Sequence, residues 1–309
     1  MILWLQENTS LQIIAIYREI DVLGRLLMGV KVGLVLAGGM AKGAYEVGVL
    51  KAITNFIPKE AITSMSCASI GVLNGYAFEQ GKLAEAEELW KELCIDDNRL
   101  FISQILRSCI IQEDIKKIYN PSKGFDRNFY ISLLDYTHMK LVYKNLRKED
   151  LEKIAPYLKA SVSMPIYNTS VKIDKTRYYD GAIIDNIPVY PLMAKKLDYI
   201  ICVYFDTYSY RFESRNFDSK IIHLTFPDDA FVKHSLIFKK ENIHNMIVRG
   251  YDRTNYLFKK IIGNDYTDIE SIRHEIINRD DDIRIRITGE VLTTGFNKFS
   301  QKLLRKDIR

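Results

Sequence analysis

The chain has 309 residues, 47% of them apolar, with 44 basic and 39 acidic residues and a net charge of +5. That composition gives a globular chain of one large or two small domains, and so small a basic excess offers no argument for nucleic acid as a partner. The cysteines Cys67, Cys94, Cys109 and Cys202 form no C-x-x-C pair and stand apart from the five histidines. Neither a disulfide framework nor a metal site is expected, and the usage fits a reducing, cytoplasmic setting.

Residues 1–28 read as a helical extension, because Thr9 and Ser10 can cap a helix that puts Ile16, Ile20, Leu23 and Leu27 on one face. They lack the basic leader and small-residue cleavage site of a secretory signal. From Lys31 onward strands and helices alternate: a strand at 32–36, a helix at 44–56, a strand at 61–66, and helices at 70–78 and 83–93. The uncharged stretch 61–78 carries Thr63, Ser64, Ser66, Ser69 and Asn74, so it suits a buried turn better than a membrane span. Residues 95–130 are expected to form helices and loops, with Pro121 and Gly124 as breakers. Further on come a strand at 141–143, a helix at 149–159, a strand edge at 177–179, a helix at 190–197, a strand at 199–205 and a helix at 240–262. The alternation predicts a layered α/β domain with a mostly parallel sheet over 29–263, followed by a charged extension at 264–309. In that extension Lys298, Lys302, Arg305 and Arg309 share one helical face, an arrangement that suits either a solvated terminal helix docked on the domain or a membrane surface.

Three segments carry chemistry. Leu36 to Gly43 holds a glycine-rich turn after an apolar strand, with Gly38 and Gly39 placed so that free N–H groups can converge on an anion. Met40 breaks G-x-G-x-x-G and Gly43 is followed by Ala44, which argues against a dinucleotide or Walker loop. Cys67-Ala68-Ser69-Ile70-Gly71 puts a serine between small residues where a strand turns into a helix, a turn that exposes a hydroxyl. Tyr179-Asp180-Gly181-Ala182 supplies a carboxylate beside a glycine. No histidine has a context that singles it out as a triad member, so the serine's proton passes to the carboxylate directly, as a Ser69-Asp180 dyad.

These residues resemble the patatin-like phospholipases, whose pattern is G-G-G-x-[RK]-G, G-x-S-x-G and D-G-[GA]. Gly43 to Leu50, Ala160 to Pro165 and Asp185 to Val189 are similar to the family's first helix and to the segments flanking its aspartate. The resemblance implies a three-layer α/β/α fold and acyl ester hydrolysis of phospholipids or lysophospholipids without cofactor or metal. It implies Ser69 as nucleophile, Asp180 as base and an oxyanion hole of N–H groups around Gly38, Gly39 and Met40. Lys42 takes the basic position of the first motif, where it would steady the loop or meet a phosphate. Met40 and Cys67 stand where the family has glycine. They motivate an alternative, a catalytically weak or inactive protein that binds lipid as a scaffold.

Overall fold

In the computed structural model, which describes residues 29–93, 115–165, 167–205, 209–212, 218–226, 238–263 and 283–286, strands and helices alternate from Val32 onward. The helical readings of 1–28 and of the C-terminal extension lie outside the described residues, apart from the short strand at the end of this list. The elements in order are β1 (Val32–Leu36), α1 (Gly43–Ile53), β2 (Ile62–Cys67), α2 (Ile70–Gln80), α3 (Leu83–Glu92), β3 (Asn128–Asp135), β4 (Lys140–Asn145) and α4 (Leu151–Ser161). There follow β5 (Val171–Ile173), β6 (Thr176–Asp180), α5 (Tyr190–Met193), β7 (Tyr199–Tyr204), β8 (Ser209–Phe212), β9 (Ile221–Thr225), α6 (Lys240–Gly263) and β10 (Ile283–Arg286).

The main sheet runs β5-β6-β3-β2-β1-β7-β9, with β4 on the other side of β3; β8 and β10 form a separate parallel pair. Its centre, β3-β2-β1-β7-β9, is parallel, and the pairings of β4, β5 and β6 are antiparallel. Parallel strands need cover on both faces, and the side-chain alternation provides it. Leu34 and Leu36 of β1 and Ile201 and Val203 of β7 enter a large core with α1, α2, α3, α4 and α6. Val35, Ile200, Cys202 and Tyr204 enter a smaller core with Ile187, Val189, Leu192 and Leu197. The molecule is therefore a three-layer α/β/α fold whose second layer is thin.

Two expectations need correction. Asn128–Asp135 is a strand, although 95–130 read as helices and loops; it is a short, almost wholly buried apolar run whose periodicity alone does not separate strand from helix. The helix expected at 190–197 ends at Met193. The chain leaves it so that Leu197 can bury and the Asp198 N–H can bond the Lys31 carbonyl at 2.8 Å, which seats β7 beside β1. Strands β5 and β9, too short or too mixed to stand out, form the sheet edges, and the short β8 pairs with β10 apart from the main sheet.

Helices α1 and α6 cross at backbone contact. A Cβ at Gly48 would lie 1.9 Å from the Ile247 carbonyl oxygen, and one at Gly250 2.1 Å from that of Tyr45. Neither obstacle is a flexible side-chain tip, so the helices would have to separate. Gly48→Val is expected to destabilise the fold by about 1–3 kcal/mol, the usual cost of overpacking, read as a lower urea midpoint; an unchanged midpoint would mean the crossing is not tight.

Candidate active site

The sheet brings positions 69 and 180 together through one strand. Strand β4 occupies one side of β3 from Tyr130 to Asp135, so β2 and β6 must share the other. Strand β2 runs parallel to β3 and ends with Cys67 opposite Ile131; β6 runs antiparallel and ends with Asp180 opposite Leu133. The two C-terminal ends meet head to head along the same flank. Ser69, two residues past Cys67, lands beside Asp180, near enough for its hydroxyl to act on the Asp180 carboxyl.

Ser69 sits at the N-cap of α2 with φ 51° and ψ −128°, a positive φ that is uncommon for a residue other than glycine. Holding it costs on the order of 1–3 kcal/mol. The conformation is fixed on both sides, by the Ala68 N–H on the Leu36 carbonyl at 3.0 Å and by the Val72 N–H on the Ser69 carbonyl at 2.9 Å. Gly71 packs against the end of β1, where a Cβ would lie 2.7 Å from the Leu36 carbonyl oxygen. The positive end of the α2 dipole therefore faces the serine.

Asp180 is 2% exposed. One carboxylate oxygen accepts the Ala182 N–H at 2.9 Å, and the Asp180 N–H bonds the Ser163 carbonyl at 2.8 Å. Burial pushes the Asp180 carboxyl up to about 7, against the opposing hydrogen bonds of Ser69 and Ala182. Gly181 lies against the β3 backbone, with no room for a side chain beside Ser132 and Leu133.

The first loop closes the site. A Cβ on Gly38 would stand 2.8 Å from the Ser69 Cβ and 3.3 Å from that of Ala182, so the loop touches both other segments. Asn186 clamps it, donating from its side chain to the Gly38 carbonyl at 2.9 Å and accepting the Gly38 N–H on its own carbonyl at 3.2 Å. Sequence reasoning noted Asn186 only within the Asp185 to Val189 segment, without a task. Because Gly38 N–H is engaged, the loop donors left without an acceptor among the described residues are those of Gly39, Met40 and Ala41.

Met40 adopts φ +50°, so methionine takes the left-handed turn at a cost of about 1–2 kcal/mol. Its side chain packs on the large core. Cys67 is fully buried opposite Gly75, whose missing side chain leaves the space that the sulfur fills. Burial, and then the neighbouring Glu46, hold its thiol far above its ordinary range, so it stays neutral. Lys42 has no exposed surface. That fits steadying the loop and removes the suggestion that it meets a phosphate from solution. Gly43 opens α1, and its carbonyl accepts the Asn74 side chain at 2.9 Å. Asn74 also donates to Glu46 at 2.8 Å and accepts from Trp90 at 3.0 Å, tying α1, α2 and α3 together behind the serine. The described histidines near the sheet are engaged elsewhere, His138 with Asp135 and His223 with Tyr204.

The raised carboxyl has a consequence for stability. Between about pH 4 and pH 7 the unfolded chain has released this proton while the folded chain keeps it, so the group makes stability fall as pH rises through that window. Asp180→Asn removes the titration. The variant is expected to be more stable than the parent by about 2–4 kcal/mol at pH 8, the gap closing toward pH 4. Urea unfolding at both pH values checks this; a gap independent of pH would contradict the assigned shift.

Among known proteins, the family model described as Patatin-like phospholipase matches residues 34–193. No curated protein matches the chain. The crystal structure of VipD from Legionella pneumophila is similar at 13% identity, covering 89% of this chain and 75% of that one, with a TM-score of 0.44. The type III effector ExoU is similar at 14% identity over 75% of this chain and 53% of its own, with a TM-score of 0.39. In the heterodimeric ExoU-SpcU complex of Pseudomonas aeruginosa the values are 14%, 89%, 60% and 0.36. The chain thus spans little more than half of the ExoU chains it matches.

Proposed function

The chain belongs to the patatin-like phospholipase family, and from that premise we propose a serine acyl hydrolase of phospholipase A or lysophospholipase type working by a Ser69-Asp180 dyad. Membership supports lipid acyl ester hydrolysis in general. The observation that carries the finer reading is the placement of Ser69 at the end of β2 beside the buried Asp180 at the end of β6, a carboxyl whose proton affinity lies near neutrality.

In this mechanism ionised Asp180 takes the Ser69 proton as the hydroxyl oxygen attacks the acyl carbonyl carbon. The carbonyl electron pair moves onto oxygen, and the Gly39 and Met40 N–H groups, with the α2 dipole, stabilise it. The intermediate collapses, the bond to the alcohol breaks, and Asp180 returns the proton to the departing oxygen. An acyl ester on Ser69 remains. Water then attacks it, Asp180 again taking and returning the proton, and fatty acid leaves.

We favour the hydrolase over the scaffold alternative because the two departures from the family pattern are accommodated. Methionine holds the loop turn with its side chain turned into the core, and Cys67 fills space opposite Gly75. We assign the hydrolase to 29–263, with 1–28 and 264–309 as extensions. No helix among the described residues is long and apolar enough to cross a membrane. We propose a cytoplasmic protein that meets its lipid substrate at a membrane surface.

Ser69→Ala and Asp180→Asn are each expected to lower kcat for a short-chain p-nitrophenyl ester by at least about 10³-fold while the protein stays folded. Full activity in either variant would refute the dyad. Because the base must be ionised, kcat/KM should rise with pH through about 7 and level off above it. A flat profile from pH 5 to 9 would remove Asp180 from the role.

A further inference from the structure

At the opposite edge of the sheet, where β1, β2 and β3 begin, lies an open cavity of about 600 Å³. Its walls carry six cations: Lys31, Lys59, Arg127, Arg147, Lys195 and Lys196. Only two carboxylates, Glu60 and Asp126, share them. Arg127 is neutralised from behind by Glu79 at 2.6 Å and fixed to the Lys59 and Ile62 carbonyls at 2.7 Å each. Asp198, just outside, accepts the Lys31 backbone N–H.

The other five cations have no carboxylate within salt-bridge range among the described residues. Lys59 is held instead by the Glu79 carbonyl oxygen at 3.1 Å and lies over the Phe78 ring, and Lys195 lies over the Tyr130 ring at 5.4 Å. Neutral partners orient these ammonium groups without cancelling their charge. Partial burial, and then the repulsion of Arg127, hold Lys59 below its ordinary range, the signature of positive charge in local excess. Elsewhere on the surface lysines meet carboxylates, as Lys51 does Glu87 and Lys91 does Glu88. A concave cluster with this surplus of positive charge attracts anions.

We propose that this cavity binds a small molecule or headgroup carrying two or more phosphate groups. The excess of cations over carboxylates is three once Arg127 is set against Glu79, and two phosphate monoesters bring about −3 to −4 at neutral pH. The volume admits a compact ligand of that kind. The site is distinct from the one at Ser69, because β1 starts beside Lys31 and ends at Leu36, roughly 16 Å away along the strand at about 3.3 Å per residue. A scissile lipid lying on Ser69 does not place its own phosphate there.

Isothermal titration calorimetry on the full chain at 0.1 M salt tests this with inorganic tripolyphosphate and inositol hexakisphosphate, and vesicle flotation tests it with phosphatidylinositol bisphosphate. Saturable binding in either arm is expected, the responding arm identifying the source as free in solution or on a lipid. Arg147→Glu with Lys196→Glu, both exposed positions, should weaken it about tenfold or more. Lys172→Glu with Lys175→Glu, exposed on the β5-β6 hairpin, makes the same change in net charge and should alter it less than about twofold. Arg147→Lys with Lys196→Arg should retain binding, and Ser69→Ala should not affect it. Absence of saturable binding in both arms, or equal loss from the two glutamate pairs, would overturn the proposal.

Discussion

One flank of β3 is shared end to end by two strands running toward each other, and the candidate site exists because of it. The serine two residues past β2 and the last residue of β6 cannot avoid each other once Cys67 is opposite Ile131 and Asp180 opposite Leu133. The crowding dictates the small residues around them. Gly181 has the β3 backbone against it, Gly38 has Ser69, and Gly71 has the end of β1. A register slip of one residue in the β6 pairing would turn the carboxyl to the other face of the sheet.

The arrangement works against stability. A carboxyl buried to 2% exposure and a serine with positive φ both raise the folded state's free energy. They persist because large elements on both faces over-determine their positions: α2 and α1 joined through Asn74, Glu46 and Trp90 on one side, the clamp of Asn186 on the loop on the other. The buried Arg127 and Glu79 pair does a different task, locking the start of β3 to the end of α2 at the opposite sheet edge. There the surplus of positive charge collects away from the reacting groups.

Much of this was legible in the residues, for identifiable reasons. Ser69, Asp180 and the Gly38 loop declare themselves because turns at strand ends demand particular small residues, and that demand is local. The central strands β1, β2 and β7 were read within a residue or so, being continuous apolar runs. What could not be read was the partner geometry. Strand β3, which makes the meeting of 69 and 180 possible, looks like any short apolar run, and Asn186 has no local signature for a clamp formed 148 positions away. The engagement of Gly38 N–H, which leaves Gly39, Met40 and Ala41 as the loop's free donors, likewise depends on that long-range contact. The basic cavity gathers Lys31, Lys59, Arg147 and Lys195 from four distant stretches and has no linear pattern at all.

The most direct trial of the central claim is labelling by a serine-reactive fluorophosphonate, with the modified residue located by peptide mass spectrometry. An activated hydroxyl held by a neighbouring base should give a stoichiometric adduct at position 69 in the parent, none after Ser69→Ala, and labelling slowed by orders of magnitude after Asp180→Asn. An adduct on another residue, or equal rates with and without the aspartate, would contradict the account.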